Sequence, residues 1–156
     1  MAKLKLDGKV PAFTAATTAG DEFSLADARG KSLVLYFYPK DATSGCTVEA
    51  REFRDHADKF RRAGAIILGV SRDSLKSHEK FREKESLPFH LLSDPEEKLC
   101  GLFDVIKEKS LYGRKYMGIE RSTFLIDGSG VLRREWRKVK VAGHAQEVLE
   151  AVRSPD

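Results

Sequence analysis

One stretch of the sequence decides the fold of this chain: Leu33-Val-Leu-Tyr-Phe-Tyr-Pro-Lys-Asp-Ala-Thr-Ser-Gly-Cys-Thr-Val-Glu-Ala-Arg-Glu-Phe53. Its first part lies within Ser32–Tyr38, a nearly unbroken apolar run that is typical of a central strand covered on both faces. The run breaks at Pro39, and a short polar turn leads into a segment with helical spacing. The sequence therefore predicts a strand, a turn and a helix, with Cys46 where the helix begins.

The predicted helix has one apolar face that includes this cysteine. Its members recur at steps of four, three, four and three positions, the period of an α-helix: Cys46, Ala50, Phe53, Ala57 and Phe60. Basic residues followed by Gly64 are predicted to end the helix. Because unpaired N–H groups and the helix dipole favour an anion at a helix start, the Cys46 thiol is predicted to be biased towards thiolate. The alternative is an unreactive cysteine that packs as a small apolar side chain.

The remaining segments alternate between strand and helix signals. The predicted order is a hairpin at 10–25, the strand 32–38, the Cys46 helix, a strand at 65–70, a helix at 74–85, a strand at 89–92, a helix starting at Asp94, a hairpin at 121–136 and a helix at 142–152. Lys107–Gly118 shows no clear periodicity and is predicted to be an extended loop. This order predicts an α/β domain with a mixed central sheet and an N-terminal β-hairpin extension.

Length and composition narrow the class of protein. Hydrophobic residues make up 41% of the 156 residues, so we expect a single domain spanning residues 1–156. Lys and Arg exceed Asp and Glu by 28 to 24, but no basic block with interleaved aromatics stands out, and we expect no nucleic-acid partner. The first ten residues lack a continuous apolar segment and no later stretch reaches membrane-spanning length, so we expect a cytoplasmic protein without a membrane partner. Two cysteines are too few for a disulfide framework.

Several motifs resemble one enzyme family. Pro39, Thr43 and Cys46 match the Pro-x-x-x-Thr-x-x-Cys signature of the peroxiredoxins. The chain is similar to the bacterioferritin comigratory (PrxQ-type) branch in these further segments: Tyr36–Asp41, Cys46-Thr-x-Glu49, Leu91–Asp94, Gly118–Arg121 and Phe124–Asp127. Ser44 departs from the pattern, because this branch usually has proline there. The resemblance implies a thioredoxin-like fold and a thiol-dependent peroxidase that reduces hydrogen peroxide and organic hydroperoxides.

The resemblance also assigns roles to five residues. Cys46 would be the peroxidatic nucleophile, oxidised to a sulfenic acid. Thr43 and Arg121 would hold the peroxide and the thiolate, Pro39 would shield the thiolate from water, and Glu49 would orient the arginine. Simpler interpretations stand beside these roles: a helix cap for Thr43, a strand terminator for Pro39, a surface charge for Arg121 and a complement to the helix dipole for Glu49.

The second half of the catalytic cycle is less clear from the sequence. In this branch a resolving cysteine commonly stands five residues after the nucleophile, where this chain has Arg51, or in the next helix, where residues 81–84 offer none. Cys100 lies among apolar neighbours and is predicted to be a buried structural residue. We therefore favour a one-cysteine cycle with an external thiol, such as thioredoxin, glutaredoxin or glutathione, as reductant. The alternative is an atypical two-cysteine mechanism in which Cys100 resolves Cys46.

A different class of function also fits the sequence, a non-enzymatic redox sensor or holdase whose oxidised Cys46 alters a protein contact. Repeated turnover with added reductant separates an enzyme from such a protein. No cofactor and no metal are expected, because the four histidines lack the spacing of metal ligands: His56, His78, His90 and His144. The family branch further implies a monomer.

Overall fold

The computed structural model describes residues 4–154. Its strands are β1 (Thr14–Thr17), β2 (Glu22–Ser24), β3 (Ser32–Phe37), β4 (Ala65–Ser71), β5 (His90–Ser93), β6 (Ile106–Leu111), β7 (Arg114–Ile119), β8 (Ser122–Ile126) and β9 (Leu132–Trp136). Its helices are α1 (Ser44–Asp55), α2 (Ala57–Arg62), α3 (Leu75–Lys84), α4 (Lys98–Leu102) and α5 (His144–Arg153), with a 3₁₀ turn at Leu25–Ala28. No helix within these residues is both long enough and apolar enough to cross a membrane.

Within residues 4–154, seven strands form the main sheet in the order β2-β1-β5-β4-β3-β8-β9. The three strands β3, β4 and β5 run parallel, whereas β8 is antiparallel to β3 and β9 is antiparallel to β8. The N-terminal hairpin β1–β2 extends the sheet by antiparallel pairing of β1 with β5. The predicted mixed central sheet with an N-terminal hairpin is therefore confirmed.

Strand β3 separates two apolar clusters because its side chains alternate between the faces of the sheet. Val34, Tyr36 and Tyr38 belong to the first cluster, with side chains from α1, α2, α3 and α5. Leu33, Leu35 and Phe37 belong to the second cluster, with side chains from α4. The prediction of a strand covered on both faces is confirmed, and Cys46 lies in the first cluster.

The predicted single helix after Cys46 is divided in two. Its apolar face is as predicted for Cys46, Ala50, Phe53 and Phe60, which are all buried. The helix is interrupted at His56, whose ring nitrogen Nδ1 lies 2.8 Å from the carbonyl oxygen of Glu52. A side chain that bonds to the carbonyl four residues earlier competes with regular helix hydrogen bonding, which accounts for the break between α1 and α2.

The prediction of an extended loop at 107–118 is wrong, because this segment forms the β6–β7 hairpin. Tyr112 and Gly113 both have positive φ angles, 50° and 77°, as a two-residue hairpin turn of type I′ requires. Most of the hairpin is exposed. Its sequence therefore lacks the apolar alternation that would have revealed two strands.

The helix predicted to start at Asp94 begins later, at Lys98. Asp94 nevertheless caps it, because its carboxylate oxygens accept hydrogen bonds from the backbone N–H groups of Leu99 and Cys100 at 3.1 and 2.8 Å. The intervening residues form a turn that includes Glu97 with a φ of 60°. The aspartate was thus correctly chosen as a capping residue, but the turn between it and the helix was missed.

Close packing of β3 against β4 makes Gly69→Ala a sharp test of the core. A Cβ at Gly69 would lie 2.8 Å from Cζ of Tyr36 and 2.9 Å from Cδ2 of Leu91. We expect this substitution to lower the free energy of unfolding by about 1–3 kcal/mol through overpacking, as measured by urea unfolding. Gly101→Ala is the matched control, since no described atom outside its local helix lies within 4 Å of the added methyl. Equal stability of the two variants would contradict the packing argument.

Candidate active site

The turn between β3 and α1 presents Cys46 on the first turn of the helix. Thr43 precedes the helix in an extended conformation, and its hydroxyl donates to the carbonyl oxygen of Lys40 at 2.8 Å. Thr43 is the N-cap residue of α1, as the interpretation as a helix cap expects, but its side chain makes no capping hydrogen bond. The threonine instead fixes the turn through its hydroxyl. Cys46 itself is only 1% exposed.

Arg121 joins Cys46 to Glu49, although it lies 75 positions further along the chain. Its Nη2 is 3.4 Å from the Cys46 sulfur, and its Nη1 donates to Oε1 of Glu49 at 2.6 Å. The arginine side chain is 16% exposed, so it is not the surface charge that its residue type alone would suggest. The guanidinium therefore presents one nitrogen to the sulfur and another to the carboxyl group.

Gly45 allows the guanidinium to approach the turn. A Cβ at Gly45 would lie 3.3 Å from Nη2 of Arg121. The absence of a side chain at Gly45 therefore leaves room for the Arg121 guanidinium beside Cys46.

Glu49 is a buried carboxylate, 2% exposed. Burial raises its pKa to about 7, because the loss of hydration outweighs the attraction of Arg121. Oε1 accepts the arginine hydrogen bond, whereas Oε2 has no hydrogen-bond partner within the described residues. The second turn of α1 therefore holds an acid whose charge changes near neutral pH.

Pro39 is the second residue after β3, following Tyr38, and is partly buried. Tyr38 still donates a backbone hydrogen bond to the carbonyl oxygen of Val70 at 3.0 Å, and Pro39, which lacks a backbone donor, cannot extend this pairing. Its shielding of the thiolate stays a prediction.

Cys100 lies on the other side of the main sheet from Cys46. The first cysteine belongs to the cluster under α1, and the second belongs to the cluster under α4. Burial, together with a hydrogen bond and the charge of Asp94, raises the pKa of the Cys100 thiol well above its usual range. The structure therefore does not bring Cys100 to the site around Cys46.

Arg51, at the usual position of a resolving cysteine, connects two helices. Its Nε donates to Oε1 of Glu85 at 2.6 Å, and Arg54 of the same helix donates to the carbonyl oxygen of Glu85 at 2.9 Å. Glu85 is the C-cap residue of α3. The residue that replaces the cysteine thus ties α1 to the end of α3.

A buried polar network behind the turn was missed by the sequence analysis. Asp41 accepts hydrogen bonds from Tyr38 at 2.6 Å and from Ser77 at 2.8 Å, and it lies 2.7 Å from Nδ1 of His78. Nε2 of His78 faces the carbonyl oxygen of Leu92 at 2.9 Å. Both ring nitrogens of His78 thus lie within hydrogen-bonding distance of oxygen atoms.

This contact acts on Asp41 in turn. Burial alone would raise the pKa of Asp41. The hydrogen bonds and charge of its partners, led by His78, lower this pKa by more than burial raises it, so that the pKa is below its usual value. The sequence signal was limited to the position of His78 three residues before buried Phe81 on α3. That spacing indicates a buried histidine but not its partner.

Asp41, Asp73 and His78 are the described residues whose ligand atoms come close enough to hold a metal ion, within 4.8 Å of one another. Hydrogen bonds already occupy these atoms, because Oδ2 of Asp73 accepts from the Asp41 backbone and from Ser71. Both ring nitrogens of His78 are already in contact with oxygens of Asp41 and Leu92. We therefore interpret the cluster as a hydrogen-bonded support for the Cys46 turn.

Comparison with known proteins agrees with this geometry. A family model described as the AhpC/TSA family matches residues 6–135. The chain is 51% identical over 150 residues to peroxiredoxin Bcp of Bacillus subtilis, covering 96% of each chain. It is 53% identical over 137 residues to peroxiredoxin Bcp of Xanthomonas campestris, covering 88% of this chain and 86% of the relative.

Solved structures give the same result. A structure of X. campestris peroxiredoxin Q is 51% identical, with a TM-score of 0.87, and covers 91% of this chain and 90% of that one. A second structure, of the X. campestris bacterioferritin comigratory protein, was solved to give insight into its alkyl peroxide reduction activity. It is 50% identical with a TM-score of 0.87, and covers 92% of this chain and 91% of that one.

The fold and these matches define a thiol-dependent peroxidase with a thioredoxin-like fold. The chain belongs to the AhpC/TSA family, within the PrxQ-type (bacterioferritin comigratory) branch of the peroxiredoxins. The expectations from the sequence about family, fold and class of enzyme are confirmed.

Glu49→Gln tests the titration of the buried acid. Because the pKa in the folded protein, about 7, lies above the usual 4.5, the folded state binds this proton more tightly than the unfolded chain. The tighter proton binding stabilises the folded state. This contribution to the free energy of unfolding is fully present below pH 4.5 and is lost as the pH rises through 7. We expect the free energy of unfolding of the wild type, relative to Glu49→Gln, to fall by about 1–3 kcal/mol between pH 5 and 8. Urea titrations at several pH values measure this difference, and a constant difference would contradict the raised pKa.

Proposed function

We propose that Cys46 is the peroxidatic nucleophile and that its substrates are hydrogen peroxide and organic hydroperoxides. The thiolate sulfur attacks one peroxide oxygen, so that an S–O bond forms as the O–O bond breaks. The sulfur is oxidised to a sulfenic acid, and the departing oxygen takes up a proton and leaves as water or an alcohol. The alkyl peroxide reduction activity studied in the X. campestris relative supports this substrate class.

The observation that carries this proposal is the bridge from Arg121 to both Cys46 and Glu49. One guanidinium nitrogen favours the thiolate, while the guanidinium as a whole attracts the negative charge that develops on the departing oxygen. Glu49 fixes the orientation of the guanidinium through a short charge-assisted bond. Thr43 fixes the turn and has a hydroxyl that can exchange partners as the peroxide binds. Pro39 limits the access of water to the sulfur.

We propose a one-cysteine cycle for the regeneration of Cys46. A first external thiol attacks the sulfenic acid, giving a mixed disulfide and water, and a second thiol releases reduced Cys46 together with an external disulfide. Thioredoxin, glutaredoxin or a small thiol such as glutathione can supply these thiols. The location of Cys100 across the sheet supports an external reductant, as does the arginine at position 51.

We further propose that the chain forms one domain and works as a cytoplasmic monomer. Both cysteines are free thiols in the structure, which suits a reducing compartment. Light scattering of the purified protein tests the monomer, and a dimer mass at micromolar concentration would contradict it.

Peroxide consumption by the wild type, Cys46→Ser and Cys100→Ser tests the catalytic cycle. We expect Cys46→Ser to lose turnover by roughly a thousandfold or more, because it removes the nucleophile. Cys100→Ser, the matched control, should keep wild-type turnover with thioredoxin and its reductase or with a small thiol. Full activity of Cys46→Ser would overturn the assignment of the nucleophile.

The same assay separates the remaining alternatives. If Cys100→Ser loses thioredoxin-dependent turnover but keeps its first rapid oxidation, Cys100 is the resolving residue and the one-cysteine cycle is wrong. A single oxidation without turnover under any reductant would indicate a redox sensor instead of an enzyme.

A further inference from the structure

Lys109 connects the β6–β7 hairpin to the segment that carries Arg121. Its ammonium group donates a 2.5 Å hydrogen bond to the carbonyl oxygen of Ile119, two residues before the arginine. Two backbone hydrogen bonds hold the same segment. The N–H of Glu120 donates to the carbonyl oxygen of Val105 at 2.7 Å, and the N–H of Val139 donates to the carbonyl oxygen of Arg121 at 3.0 Å. Lys109 adds a charged donor, which a substitution can remove.

The neighbours of Lys109 in the β6–β7 hairpin leave space for its side chain. Lys109 pairs with Tyr116 across the two strands. A Cβ at Gly118 would lie 3.2 Å from Cε2 of Tyr116 and 3.4 Å from Cδ of Lys109. The stem of the lysine therefore lies against the bare backbone of the glycine, and this packing directs its ammonium group to Ile119.

The charges around Lys109 are those of the active site. Burial and then the positive charge of Arg121 lower the pKa of Lys109, whereas Cys46 and Glu120 act in the opposite direction and Arg72 again lowers it. Lys109 is thus within electrostatic reach of both the sulfur and the guanidinium. The hairpin stands outside the main sheet, yet one of its side chains is coupled to the reacting groups.

We propose that Lys109 is a positioning residue for peroxide reduction, which holds the Ile119 carbonyl so that Arg121 reaches both Cys46 and Glu49. This inference rests on the proposed roles of Cys46 and Arg121. Lys109 acts through the arginine and does not itself touch the sulfur. Loss of its hydrogen bond leaves the backbone before Arg121 less restrained, and a guanidinium displaced by a fraction of an ångström is a weaker partner for the thiolate.

The first experiment compares Lys109→Met with Lys109→Arg by stopped-flow oxidation of Cys46 with hydrogen peroxide. We expect Lys109→Met to slow the second-order oxidation about three- to tenfold at pH 7. Lys109→Arg keeps a cationic donor and should stay within about twofold of the wild type. Lys115→Met is the matched control, since it removes a lysine from the same hairpin whose side chain is 74% exposed, and its rate should be unchanged.

A double-variant comparison decides whether Lys109 works through Arg121. In an Arg121→Ala background, Lys109→Met should cause no further slowing, because the group that it positions is absent. The same three- to tenfold slowing in both backgrounds, or none in the wild type, would overturn the proposal. Thermal unfolding of each variant checks the fold. If Lys109→Met is unfolded at the assay temperature, Lys109→Gln, which keeps a neutral donor on a shorter side chain, is compared instead and should be slowed in the wild-type background only.

If Cys46 is not the peroxidatic nucleophile, the experiments give a result distinct from a failure of the Lys109 proposal. In that case the peroxide-dependent signal would persist in Cys46→Ser, whatever residue stands at position 109. Rate changes at Lys109 that require Cys46 therefore test the positioning role alone.

Discussion

The structure around the active site depends on one partly buried cation. The Arg121 guanidinium is shared between a thiol and a carboxyl group, both on the first turn and a half of α1, and neither is accessible to solvent. Buried anions require a partner, because their loss of hydration is costly. The short turn from β3, the small residue before the cysteine and the strand that begins after the arginine all serve to keep this cation in place. The contact also links sequence segments that no local pattern connects.

Much of the fold followed from the chain itself. The apolar run of β3 and the helical spacing after Cys46 identified the strand, the turn and the buried face of the helix, since these depend on periodicity that one segment carries alone. Arg121 was identified by its family motif and not by composition, because an arginine in a bare sequence is expected to face solvent. The buried state of that arginine is a property of its partners.

The errors and omissions come from contacts and exposure that the periodicity of a segment does not reveal. The break at His56 depends on a ring that competes for a carbonyl, and the Asp41–His78 pair joins a loop to a helix 37 positions away. The β6–β7 hairpin was hidden because a ribbon with two solvated faces has no apolar alternation. In each case the single sequence contains the residues but does not reveal which of them pair.

The distribution of the two cysteines over opposite faces of the sheet has a practical consequence. Cys46 is buried next to the β3–α1 turn at the start of a helix, whereas Cys100 is enclosed between α4 and the sheet, under a capping aspartate. A thiol-specific alkylating reagent will label the first at the frequency of local opening and the second at the much lower frequency of global unfolding. The native sequence therefore contains two internal probes, one on each side of the sheet, that report separately on the mobility of the active-site turn and on the stability of the whole fold.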